Sequence, residues 1–236
     1  MKIHHKPKTI EYPDSDGQPM AENTLQFEYI ATIKGGFDAL FRDDPQVFVA
    51  GDLLWYPVEG QPETRTAPDV FVAFGRPKGY RGSYCQWMEA DVAPQVVFEV
   101  LSPGNRAAEL LRKFRFYTDH GVEEYYVYDP DRGTLNGWLR SGADLHEIPA
   151  MAGWSSPRTC VRFFLEEGRL VLMEPAGRRF ATYVELAAEV DDQRRRIEQE
   201  SGRAEQECRR AEQERRRADR LAARLRELGH SPDELE

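Results

Sequence analysis

An acid sits inside an apolar run. Residues 95–101 read QVVFEVL, bounded by Pro94 and Pro103, so Glu99 interrupts a segment that otherwise has the pattern of a strand buried on both faces. A carboxylate there is costly unless a cation or hydrogen-bond donors compensate it. Asp69 repeats the pattern on a second apolar strand, since it follows Pro68 and opens VFVAF. Two carboxylates on neighbouring strands can share one hard cation such as Mg2+ or Mn2+, with water filling the remaining positions. The alternative is that Glu99 pairs with a buried Arg or Lys and Asp69 only caps a turn.

The surrounding pattern places these acids in an α/β or α+β domain. Residues 21–41 have near-helical apolar spacing at Leu25, Tyr29, Ile33, Phe37 and Leu40. Residues 47–56 and 69–74 are strand-like, and 75–87 read as a loop. Asn105 is a suitable N-cap for a helix running to about His120, stopped by Gly121. A strand over 124–128 follows and ends in the turn sequence DPDRG. Strand, helix and strand in that order predict a crossover with parallel pairing.

On the predicted helix, Ala107, Leu110, Leu111, Phe114 and Tyr117 form the apolar stripe. Lys113 borders that stripe beside Glu109 and can reach toward the carboxylates, to orient a water or neutralise a phosphate. A Glu109–Lys113 surface pair explains the same spacing equally well. Ser102 reads as part of a strand-to-helix turn, because no His–acid partnership accompanies it. Asp52 either adds a third carboxylate or occupies an exposed strand position. Arg81, Ser83, Tyr84 and Trp87 lie in a Gly-containing loop suited to backbone contact or base stacking on a nucleic acid.

Composition changes near Tyr183. Residues 1–20 are an irregular lead-in, 21–182 the main domain, 183–229 a charged helical tail and 230–236 a disordered end. In the tail, Val190, Ile197, Ala204, Ala211, Ala218 and Leu225 recur every seven positions, the mark of a coiled coil. Glu200, Glu207 and Glu214 occupy the companion seam, so a solvated single helix held by Glu–Arg pairs is the competing reading. Gly229 and Pro232 would end it.

Several classes are disfavoured. Cys85, Cys160 and Cys208 are scattered and odd in number, which argues against a disulfide framework or a zinc site. The five histidines are equally unorganised. No apolar run approaches the roughly 20 residues that span a bilayer, and the first residues lack a signal-peptide core. A cytoplasmic, membrane-free protein is expected. The net charge of −9 opposes broad nucleic-acid coating but not a local basic rim, for which 76–81 and 106–115 are the candidates.

The strings PDVFVAFG and PQVVFEVLSPGNRAAELLRKFRFYTDHGVEEYYVYDP closely resemble the Uma-two endonuclease family, within the PD-(D/E)XK restriction-endonuclease-like superfamily. The likeness extends over about residues 23–180. It implies a mixed central sheet flanked by helices, followed here by the long C-terminal helix or coiled coil. It also implies Mg2+- or Mn2+-dependent DNA cleavage leaving a 5′-phosphate and a 3′-hydroxyl. Pro68-Asp69 matches the PD pair and Glu99 the second acid. The superfamily lysine two residues later would fall on Leu101, and in this family Lys113 takes its place. Glu109 falls where members often carry Asp, and Tyr117 and Tyr125 match aromatic positions. By the same resemblance the Val100 carbonyl ligates the metal, Glu22 or Glu28 is the assisting helical acid, and Arg81, Tyr84 and Arg106 are candidate DNA contacts. DNA and a second copy of the chain, met through the domain or the tail, are the expected partners. The alternative is a catalytically silent scaffold or DNA-binding module whose tail recruits partners.

Overall fold

The computed structural model describes residues 10–15, 17, 21–104 and 107–227. The chain divides into two compact units, Met1–Thr182 and Tyr183–Glu236. The first contains, in chain order, α1 (Thr24–Leu40), β1 (Val47–Gly51), β2 (Trp55–Tyr56), β3 (Val70–Phe74), β4 (Tyr84–Cys85) and a 3-10 turn (Gln86–Glu89). Then come β5 (Val96–Val100), α2 (Ala107–Asp119), β6 (Glu124–Asp129), β7 (Thr134–Ser141), β8 (Asp144–Glu147), β9 (Arg162–Glu166) and β10 (Arg169–Met173).

Six strands form one mixed sheet in the order β1-β3-β5-β6-β7-β8. Within it β5 and β6 are parallel, joined by α2 as the strand–helix–strand pattern predicts, and the other neighbours are antiparallel. Alternation along β5 explains its apolar run. Val96, Phe98 and Val100 pack with Ile30, Ile33 and Phe37 of α1 and with Phe163 and Leu172 of the β9–β10 hairpin. On the opposite face Val97 packs with Trp55, Phe71, Tyr84, Tyr117 and Tyr125. A strand covered on both sides has no polar alternation to display.

The Asn23 side chain caps α1 by accepting from the Gln26 N–H at 2.8 Å. The helix buries Gln26, Ile30, Ile33 and Phe37, while Leu25 is exposed, so its inner stripe is rotated from the expected one. Gly36 is required by packing: a Cβ there would clash with the Phe180 ring, which meets Phe37 edge-on.

Three further expectations change. The strand expected over 47–56 breaks at Asp52, whose φ of 48° turns the chain out of β1 before β2 begins. The segment expected as a loop contains β4, which pairs with β2, and the 3-10 turn. On α2, Ala107 is exposed and Leu111 is 51% exposed, whereas Lys113, Phe114 and Phe116 are half-buried and Tyr117 fully buried. The rings decide this rotation: Phe116 packs edge-on against Trp55, and Phe114 against Trp138. Asn105, its capping role and the helix-ending Gly229 and Pro232 lie outside the described residues.

The second unit is α3 (Tyr183–Glu227), 45 residues long. Val190, Ile197 and Leu221 are exposed on it, and Glu205–Arg209 and Arg224–Glu227 pair along its surface at 3.8 and 2.9 Å. Among the described residues no helix is long and apolar enough to cross a membrane.

Candidate functional site

β3 and β5 run antiparallel with Val70 opposite Phe98, so one step further along brings Asp69 opposite Glu99. The position parity of β5 sends Glu99 to the α2 side, where the next helix supplies the partners. Glu99 is 3% exposed. Its Oε2 accepts from Lys113 Nζ at 2.7 Å, and its Oε1 accepts from the Tyr117 hydroxyl. Lys113 and Tyr117 are four residues apart and therefore share a helix face. Lys113 Nζ also donates to the Ala67 carbonyl at 3.5 Å, tying α2 to the segment that carries Asp69.

Asp69 Oδ2 accepts the Val100 N–H at 2.7 Å, while Oδ1 receives no hydrogen bond among the described residues. Burial, then the neighbouring Glu99, push the Asp69 carboxyl well above the usual carboxylate range, against the pull of Lys113 and the Val100 N–H. Burial works to discharge Lys113, but Glu99 and Asp69 outweigh it and hold the ammonium above its ordinary value. Burial and Glu99 likewise raise the Tyr117 hydroxyl well above its ordinary value. Tyr125 lies on the same side, its hydroxyl buried and without a hydrogen-bond partner among the described residues. Burial, Glu99 and Asp69 raise it well above its ordinary value.

Asp69, Glu99, Lys113 and Tyr117 therefore form one cluster with two acids and one lysine. Among the described residues no group of three or more His, Cys, Asp or Glu side chains is placed to hold a metal ion. A protein donor set of two carboxylates with nearby carbonyls still fits a hard cation that keeps several waters, as Mg2+ does. The Asp69 Oδ1, left without a hydrogen bond among the described residues beside Glu99, is the specific sign of that fit. Glu124 is the contrasting case, a buried acid at the opposite end of the sheet. Its carboxylate is satisfied by the Tyr126 hydroxyl at 2.8 Å, the Arg158 N–H at 2.7 Å and the Ser156 hydroxyl, with no lysine among these partners.

The accessory residues distribute unevenly. Glu109 is half-buried and adds to the field that keeps Lys113 charged. Glu28 is exposed on α1. Glu22 precedes the helix and accepts the Ser102 hydroxyl. The α1 side chain that reaches the end of β5 is instead Gln26, whose Nε2 donates to the Val100 carbonyl at 2.8 Å. The N-cap spacing Asn23-x-x-Gln26 was a usable signal for it, since a Gln at that position turns back toward the helix start.

The expected DNA-contact loop is corrected. Tyr84 is fully buried in the α2-side core, and its hydroxyl donates to the Val92 carbonyl at 2.7 Å. Arg81 is committed to Glu89 at 2.6 Å and covers the Phe48 ring at 3.9 Å. The loop also leaves the far end of β3, roughly 17 Å from Asp69 at the rise of a five-residue strand. Arg106 lies outside the described residues. Arg112 and Arg115 of the other basic stretch are exposed on α2. The three cysteines are free.

Residues 5–160 match the Uma2 family model, described as "Putative restriction endonuclease". Among solved structures, the fold is similar to a "putative nuclease belonging to DUF820 from Anabaena variabilis ATCC 29413". That pair is 14% identical with a TM-score of 0.44, over 58% of this chain and 75% of the other. No protein of curated function matches the chain.

Proposed function

The chain belongs to the Uma2 family, and from that premise we propose that it is a Mg2+- or Mn2+-dependent DNA endonuclease with Asp69, Glu99 and Lys113 at its centre. The observation that carries this reading is the juxtaposition of two buried carboxylates with, among the described residues, one nearby lysine, Asp69 being pushed toward its protonated form. A divalent cation relieves that imbalance. When bound, it would polarise a phosphate and acidify a water. Asp69 and Glu99 would hold it, with the Val100 carbonyl at the same strand end. Lys113 supplies a positive charge that its acidic neighbours keep protonated, positioned to neutralise a phosphate oxygen or orient the attacking water. Tyr117 fixes the Glu99 carboxylate through Oε1 and Lys113 through Oε2, so Glu99 would be held ready as a ligand. DNA is the proposed substrate, and a second copy of the chain the proposed partner for a double-strand cut.

A second reading has one observation in its favour: both Glu99 oxygens already have protein donors, as in a structural ion pair. On that reading the domain is a silent scaffold. Cleavage of supercoiled plasmid decides between them. The wild type is expected to nick or linearise it only with Mg2+ or Mn2+, and Asp69→Ala and Glu99→Ala to lose about 100-fold or more of the rate. Undiminished cutting by both variants would refute the assigned roles. Absence of cutting together with absence of cation binding by the wild type would favour the scaffold.

A further inference from the structure

The apolar inner stripe of α1 includes one polar side chain, Gln26, which is 6% exposed. Both ends of its amide are used. Nε2 donates to the Val100 carbonyl at 2.8 Å, and Oε1 accepts from the Glu22 N–H at 2.8 Å. Those bonds offset the cost of burying an amide. Their location matters more. The Val100 N–H is held by Asp69 Oδ2 at 2.7 Å, and the Val100 carbonyl is held by Gln26. Two successive peptide groups at the end of β5 are thus pinned, one by a candidate ligand and one by α1. Glu99 is attached to the first of them.

We infer that Gln26 is a positioning residue of the cation site, fixing Val100 and through it the relative placement of Asp69 and Glu99. This rests on the reading of those two acids as cation ligands. Gln26 touches neither acid and would act on the cation only through the strand end. Loss of such an outer partner weakens metal binding by about 10–100-fold in comparable sites. The Glu22–Ser102 hydrogen bond reinforces the same junction between the start of α1 and the turn after β5.

Calorimetric titration of MnCl2 into the full chain tests this, comparing wild type, Gln26→Leu, Gln26→Met, Asp69→Asn and Asn23→Ala. Both Gln26 variants are expected to bind Mn2+ about 10-fold more weakly or worse. Asn23→Ala, which removes only the helix cap, is expected to melt at a lower temperature while keeping its Mn2+ affinity within about twofold. That control separates positioning from general loosening of α1. Unchanged affinity in both Gln26 variants, with binding lost in Asp69→Asn, overturns the role of Gln26 and leaves the cation site standing. No binding by the wild type, or binding indifferent to Asp69→Asn, removes the cation reading and this inference with it. Should the Gln26 variants fail to fold, the wild type decides by NMR. Its Gln26 side-chain amide resonances are expected to shift on Mg2+ addition and to stay still in Asp69→Asn; no shift in the wild type overturns the proposal.

Discussion

Replacing Asp69 with Asn is expected to raise the melting temperature of the metal-free protein and, in the same stroke, to abolish divalent-cation binding. The carboxyl is buried and faces Glu99, and burial and that neighbour lift its pKa well above the usual range. An acid whose pKa is higher in the folded than in the unfolded chain favours folding when protonated. Its contribution is fully present below the unfolded value of about 4 and is lost as pH rises through the folded value. Above the unfolded value this acid is therefore a growing burden on the metal-free fold. Asn has nearly the same shape, and its Oδ1 can still accept the Val100 N–H without charge. Each kcal/mol regained corresponds to about 2–4 °C for a chain of this size. Differential scanning fluorimetry from pH 4 to 8 should show the variant melting higher at pH 8, with the gap closing toward pH 4. Mg2+ should raise the melting temperature of the wild type and leave the variant unmoved. A variant that melts lower at pH 8 would mean that the Asp69 carboxylate is a net stabiliser, contrary to this account.

Lys113→Met should act in the opposite direction. It removes the ammonium 2.7 Å from Glu99 and leaves a carboxylate that is 3% exposed with the Tyr117 hydroxyl as its remaining donor. Breaking a buried pair from one side costs about 3–5 kcal/mol, roughly 6–20 °C here. Removing both partners is much less damaging than removing one, because no uncompensated charge remains. Glu99→Leu/Lys113→Met is therefore expected to be more stable than Lys113→Met alone in urea unfolding. Mg2+ should rescue the single variant and not the double. Equal stability of single and double variants would show that Glu99 is not charged and buried as described.

The residues differ in how legible they were. Glu99 could be read because β5 is covered by α1 on one face and by α2 on the other, so one acid stood against an unbroken apolar background. The β5–α2–β6 crossover was legible for a related reason: its helix is bounded by strands and by Gly121, and a parallel pair needs such a connection. Lys113 was visible only as a border residue, because helical spacing gives an angle around the axis but not which neighbour waits there. The facing rings of Trp55 and Trp138 turned the helix away from the expected stripe and brought Lys113 inward.

Other features depended on long-range pairing. Tyr84 looked like a loop aromatic, yet β4 pairs with β2 and its ring meets Phe71 and lies parallel to Phe48. Nothing local separates such a residue from one exposed on a loop. The basic loop at 76–81 follows Asp69 closely in sequence, but the intervening strand carries it to the other end of the sheet. The resemblance points to acids, Glu22 or Glu28, at the start of α1, and so not to the neutral Gln26. Its bond to Val100 spans 74 positions in sequence.

The central proposal is that Asp69 and Glu99 together hold a divalent cation. Anomalous scattering from crystals of the full chain soaked in Mn2+ tests it most directly. The prediction is a peak within coordination distance of both Asp69 and Glu99 carboxylates, absent from crystals of Asp69→Asn. Fully occupied Mn2+ elsewhere with none between these carboxylates, and Lys113 still bonded to Glu99, would contradict it.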